Sequence, residues 1–194
     1  MSYPPAPPAP SNPYASGFAA PRGASDPADI SLPLYGAKFG QAVSRYFRQY
    51  VNFTGRASRS EYWWVALFRF FLFLIPTILL SVGVGIGAAW AVANPTETLI
   101  GYDQGTGEEV YAQTGAGILN YAPAAALILI GGILFIVIGL GLILPDLALI
   151  WRRLHDINLP GAFALLKLVP SVGELIVFIF ALMPSRPEGQ RFDV

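Results

Sequence analysis

Apolar and polar positions fall into long blocks along this chain. The first apolar block runs from about Tyr62 to Val92, with 21 charge-free residues from Phe70 to Trp90. The second runs from about Ala122 to Trp151, with 22 charge-free residues from Ala124 to Pro145. Each exceeds the roughly 20 residues that cross a bilayer core, so residues 62–92 and 122–151 are predicted to span. A third block, 161–183, has the length but contains Lys167, Pro170, Gly173 and Glu174. It is read as a third span, with a broken span or a re-entrant hairpin as the alternatives. Upstream, Phe39, Val43, Tyr46, Phe47 and Tyr50 recur at helical spacing across residues 36–50, with Lys38, Arg45 and Arg48 elsewhere. That pattern predicts an amphipathic helix, either lying in the interface of an anionic leaflet or packed on the protein's own membrane domain. The expected fold class is all-α integral membrane: three transmembrane helices plus an N-terminal interfacial amphipathic helix.

Composition supports this reading. Of 194 residues, 54% are apolar and only 12% charged, about half the share of roughly 25% in ordinary soluble domains. Acids and bases balance at 12 each, so bulk charge gives no argument for nucleic acid. The absence of cysteine excludes disulfides, thiolate metal sites and a cysteine nucleophile. Residues 1–33 hold 9 of the 17 prolines and are expected to form a disordered tail. The membrane domain is expected over 36–192.

Local charge sets an expected orientation. Arg45, Arg48, Arg56 and Arg59 precede the first span, and Arg152 and Arg153 follow the second. The connector 94–121 carries Glu97, Asp103, Glu108 and Glu109 and neither Lys nor Arg. The positive-inside rule then places the N-terminus of a multi-pass membrane protein in the cytoplasm and the acidic connector outside. Three spans would put the end of the chain outside; a hairpin in the third segment would return it to the cytoplasm. The connector itself reads as a solvated turn or small hairpin, with a calcium site as the alternative.

The candidate chemistry lies at the span ends. Ser58-Arg59-Ser60-Glu61 has capping-box spacing, so the first span should begin near Arg59. Because consecutive spans are antiparallel, Arg56, Arg59 and Glu61 should meet Arg152, Arg153, His155 and Asp156 on one face. Four guanidinium groups there suit a phosphate or lipid headgroup; alternatively they fix topology and pair with Glu61 and Asp156. Arg69 and Asp146 lie at similar depths inside the apolar blocks and are expected to pair as a strut. Lys167 and Glu174 stand two turns apart in the third block, as a proton relay or as packing residues. Gly83, Gly87 and Ala91 form a small-residue face for close contact within or between chains. His155 beside Asp156 is the one candidate general base, with no marked nucleophile and no metal-ligand spacing. No cofactor and no enzymatic activity are expected.

Asn52-Phe53-Thr54-Gly55-Arg56-Ala57-Ser58-Arg59-Ser60-Glu61-Tyr62-Trp63-Trp64 and Arg152-Arg153-Leu154-His155-Asp156, in this order and separated by hydrophobic spans, resemble the hallmarks of a bacterial inner-membrane family. That family is domain of unknown function 805 (DUF805). The resemblance covers about residues 36–192 and implies a bacterial inner-membrane location without an established activity. Two stretches depart from the family pattern. Pro160-Gly161-Ala162-Phe163 stands where relatives have a Gly-Trp-Trp-like entry, and Gln190 and Asp193 replace an Asn and a Gly in the closing motif. The expected role is non-enzymatic binding of anionic lipid headgroups or a membrane partner through the arginine cluster. The rival is an oligomeric transporter or channel component using Glu174.

Overall fold

The computed structural model describes residues 21–193. The described residues divide into two compact units, 21–65 with 145–193, and Ala66–Leu144.

In the second unit, the helices expected as the first two spans pair as an antiparallel hairpin. Helix α2 covers Arg59–Ala93 and α3 covers Ala122–Asp156; the parts from Ala66 and up to Leu144 lie in this unit. At 35 residues, each is about 52 Å long at 1.5 Å per residue, long and apolar enough to cross a membrane. Their outer faces leave Phe70, Phe71, Ile75, Ile133, Val137 and Leu140 exposed. Glycine permits close contact between them. A Cβ on Gly83 would stand 2.9 Å from Ile128 Cγ1, and one on Gly131 would stand 3.0 Å from Leu80 Cγ. Gly87 likewise faces Ala124, so the small-residue face expected on α2 is used within the chain. Phe73 meets Phe135 edge-on at 5.1 Å, and Trp90 stacks on Tyr121.

The all-α expectation needs one correction. Strands β1 (Pro95–Tyr102) and β2 (Glu109–Gly115) form an antiparallel hairpin, with a bulge between Leu99 and Gly101. Asp103 closes its turn: Oδ1 accepts the amides of Gly105 and Thr106, each at 2.8 Å. Of the solvated turn or small hairpin expected for the acidic connector, the hairpin is what forms, and its Asp103 carboxylate is engaged by its own loop.

The first unit is built around the other ends of α2 and α3. Ile150, Leu154 and Ile157 form a core with Ala164 and Val177, flanked by Tyr62, Trp151 and Phe180. Pro76 and Pro145 lie inside continuous helices, but the third apolar block breaks. Residues Gly161–Leu168 form a 3₁₀ helix and Val172–Leu182 form α4. Between them Ser171 adopts φ 64, ψ −59, and the Val172 amide donates to the Pro170 carbonyl at 2.7 Å. These define a γ-turn of the rare, strained hand. The arms then double back: Phe163 meets Phe180 at 6.2 Å, and Gly173 lies against the Leu166 carbonyl where no Cβ fits. Both ends return to α3, with Gly161 against the Trp151 ring and the Ala181 carbonyl accepting from Arg153 at 3.3 Å. A span would place those ends on opposite sides of roughly 30 Å of hydrocarbon. Block 161–183 thus folds as a hairpin of a 3₁₀ arm and α4, and the one continuous third helix that a simple span would need is not formed. At 11 residues, α4 rises only about 16 Å.

Helix α1 covers Phe39–Arg48. Its inner side buries Tyr46, Ala42 and, against expectation, the basic Arg45; Phe39 and Phe47 face outward. Of the expected tail, residues 1–20 lie outside the described residues. Residues 21–33 run along the first unit as a strap whose backbone carbonyls accept from buried Arg45, Gln49 and Arg56.

Candidate functional site: a buried charge cluster

The start of α2 is fixed by the capping box. Ser58 Oγ accepts the Glu61 amide at 3.2 Å, and Glu61 Oε2 accepts the Ser58 amide at 2.8 Å. Glu61 also accepts from Arg45 Nε at 2.5 Å, an ion pair with both side chains 3% exposed. Arg45 spends its other donors on the strap, bonding the Leu32 carbonyl at 2.5 Å and those of Pro27 and Asp29. The sequence pattern sets Arg45 apart from the aromatic stripe of α1 and groups Glu61 with the span-end charges, so it does not indicate this pair.

A second knot centres on Asp156, the last residue of α3 and fully buried. Its Oδ2 accepts from Arg153 Nη1 at 2.5 Å and from Ser185 Oγ. Its Oδ1 accepts from the Tyr35 hydroxyl at 2.7 Å and faces Arg56 Nη1 at 3.5 Å. Arg56 donates to Tyr35 at 3.0 Å, to the Arg22 carbonyl at 2.7 Å, and in a fork to Asp193, Nε at 2.6 Å and Nη2 at 2.8 Å. Burial opposes its charge, but the Asp193 hydrogen bond, with Tyr35, Asp193 and Asp156 nearby, raises its pKa overall. Burial, followed by the adjacent Asp156 carboxylate, pushes the Tyr35 hydroxyl well above its ordinary value.

His155 Nδ1 lies 2.9 Å from the Gly55 carbonyl. Its ring stacks on Phe192 with centroids 4.0 Å apart, and the Arg191 guanidinium lies over that phenyl ring at 4.6 Å. Arg152 is buried as well: Nε donates to Ala148 at 3.3 Å, and Nη2 has no hydrogen-bond partner among the described residues.

The structure therefore brings Arg56, Arg153, His155 and Asp156 together, with Glu61 and Arg152 in the same unit. Only Arg59 of the four candidate headgroup arginines is exposed. The buried arginines chiefly satisfy internal carboxylates and carbonyls. Asp146 accepts from the Tyr46 hydroxyl at 2.6 Å. Arg69, its expected partner, lies half-buried on α2 in the other unit. Lys167 and Glu174 fall on opposite arms of the hairpin, not on one helical face, and Glu174 is exposed in the first turn of α4. Tyr35 is not marked by any sequence pattern, and Ser185, Phe192 and Asp193 are visible there only as members of the closing motif 184–193.

Two helices long and apolar enough to cross a membrane, with buried charge knots at the Arg59 and Asp156 ends, are the pattern of a helical membrane protein. The family model described as Protein of unknown function (DUF805) matches residues 50–194, and the chain belongs to that family. It is 27% identical over 148 residues to the inner membrane protein YhaH of Escherichia coli (strain K12), covering 76% of this chain and 89% of the relative. It is 29% identical over 145 residues to the inner membrane protein YhaI of the same strain, covering 75% and 86%. No solved structure matches the chain.

Proposed function

We propose that this is a non-enzymatic, multi-pass protein of the bacterial inner membrane that binds anionic lipid headgroups at its cytoplasmic face. In this reading α2 and α3 span, and the hairpin 161–182 enters only the inner leaflet. The arginine-rich ends of α2 and α3 face the cytoplasm, together with the strap and residues 183–193. The β1–β2 hairpin and its acidic turn lie outside.

The observation carrying this reading is the outward face of α1 beside the start of α2. Phe39 and Phe47 are exposed, Phe39 meets the exposed Trp64 edge-on at 5.9 Å, and Lys38, Arg48 and Arg59 are exposed at the ends of α1 and the start of α2. Aromatic rings at headgroup depth rimmed by cations suit the surface of an anionic leaflet. The headgroup site thus shifts from the buried arginines to this rim. Each cation near such a surface contributes about 1 kcal/mol, so replacing Lys38, Arg48 and Arg59 with Gln should weaken retention of phosphatidylglycerol roughly hundredfold. Native mass spectrometry from mixed-lipid nanodiscs measures this. Unchanged retention by a normally inserted variant rejects the reading.

One observation favours the alternative, an oligomeric transporter or channel component. Glu174 is an exposed carboxyl between exposed Val172 and Leu175 on a membrane-directed hairpin, where an isolated charge is costly. Proton or solute flux in proteoliposomes, abolished by Glu174→Gln, would support it. Wild-type vesicles without flux under any imposed gradient would remove it.

A further inference from the structure

We propose that Arg56 is the base of a second anion site, one that takes a phosphate group and whose resident occupant is the chain's own Asp193 carboxylate. The site is separate from the Lys38–Arg48–Arg59 rim, so it stands or falls independently of that surface.

Three observations carry the proposal. First, the recognition geometry is that of a bidentate oxyanion contact: Nε and Nη2 of Arg56 each take one oxygen of Asp193, at 2.6 and 2.8 Å. A guanidinium fork fits two phosphate oxygens as well as two carboxylate oxygens. Second, Arg56 is held in place by other groups. Nη1 is fixed by the Tyr35 hydroxyl and Asp156, and Nη2 also bonds the Arg22 carbonyl. The fork therefore keeps its orientation when residue 193 leaves. Third, Arg56 is shut away from solvent whereas the Asp193 side chain is 16% exposed, so the occupant sits at the mouth of the site.

Charge completes the case. Within the knot, Arg56 and Arg153 oppose Asp156 and Asp193, which balances. Without Asp193 one buried positive charge remains, and a lone buried charge requires a counter-ion. Departure of Asp193 need not unravel its segment. Arg186 donates its amide to the Asp156 carbonyl at 2.8 Å, Gly189 fits against the His155 carbonyl, and Phe192 stays stacked on His155. Rotation of one side chain at the mouth opens the fork.

The test uses the full chain in phosphatidylcholine nanodiscs and compares wild type with Asp193→Asn. One arm titrates inorganic phosphate by calorimetry. The other adds phosphatidylglycerol and counts retained lipids by native mass spectrometry. Asp193→Asn should bind at least tenfold more tightly in one arm, and the responding arm identifies the source of the phosphate. The double variant Arg56→Lys/Asp193→Asn should return to the wild-type level, because an ammonium lacks the fork. Gain in neither arm, with circular dichroism matching wild type, overturns the proposal. Should Asp193→Asn fail to fold, the Arg56 Nε–H resonance of wild type decides, assigned by its loss in Arg56→Lys. A saturable shift with phosphate or phosphatidylglycerol supports the site, and an unmoved resonance across both titrations overturns it.

Discussion

Asp156 is the single side chain on which the first unit most depends. It accepts from Tyr35, Arg153 and Ser185, and faces Arg56 while fully buried. Asp156→Asn keeps the shape but removes the charge that opposes two buried guanidinium groups. Breaking one side of such an arrangement costs about 3–5 kcal/mol, so the variant should unfold at markedly lower denaturant in micelles. Tyr35 gives the same knot a pH signature. Its folded-state pKa lies above the ordinary value of 10. The stability it contributes is thus complete below pH 10 and lost as pH rises through the folded value. Unfolding midpoints of wild type and Tyr35→Phe should differ by a constant amount below pH 10 and converge above it. The capping box was legible in sequence because its partners sit three residues apart and the motif names its own hydrogen bonds. The Tyr35–Asp156 bond joins residues 121 positions apart. No local pattern reports a contact of that range. Arg45 misled for a related reason: helical periodicity separates apolar from charged positions, but a single guanidinium can be buried when a carboxylate and a strap of carbonyls satisfy it.

At the scale of elements, the long helices were legible because a run of more than 20 apolar residues has few other solutions. The third segment was ambiguous because its apolar length argued for a span while Pro170, Gly173 and two charges argued against one. The outcome turned on a local geometry that sequence does not display, the γ-turn at Ser171. A non-glycine residue held there stores roughly 1–3 kcal/mol of backbone strain. Ser171→Gly should relieve part of it and stabilise the hairpin by about 1 kcal/mol. Ser171→Val, with a branched Cβ at positive φ, should destabilise it. Hydrogen exchange at the α4 amides distinguishes these outcomes from a change elsewhere. Equal protection in both variants would show that the turn does not limit the hairpin. Gly173 should tolerate no side chain, since the Leu166 carbonyl occupies the place of its Cβ.

For the whole molecule, the deciding property is sidedness. The arginines flank the start of α2 and the end of α3, while the Glu-rich strand pair follows the far end of α2. Residues 183–193 bind the arginine end through Arg153–Met183, Ser185–Asp156 and Arg56–Asp193. A three-span chain would carry that segment to the side of the acidic strands, so a hairpin and a span make opposite predictions for residue 190. The absence of cysteine makes the comparison clean, because each introduced thiol is the only one present. Gln104→Cys should react with a membrane-impermeant maleimide in intact spheroplasts. Gln190→Cys should react only after the membrane is opened, and Ser171→Cys should stay largely unreactive from both sides if the hairpin tip rests in hydrocarbon. Labelling of position 190 together with position 104 in sealed spheroplasts would return the third segment to a span. It would also require the bonds from Arg56 and Arg153 to residues 181–193 to be absent in the membrane. Labelling of 190 only after opening would instead place the buried knot, the cationic rim and the Arg56 fork on the same cytoplasmic surface.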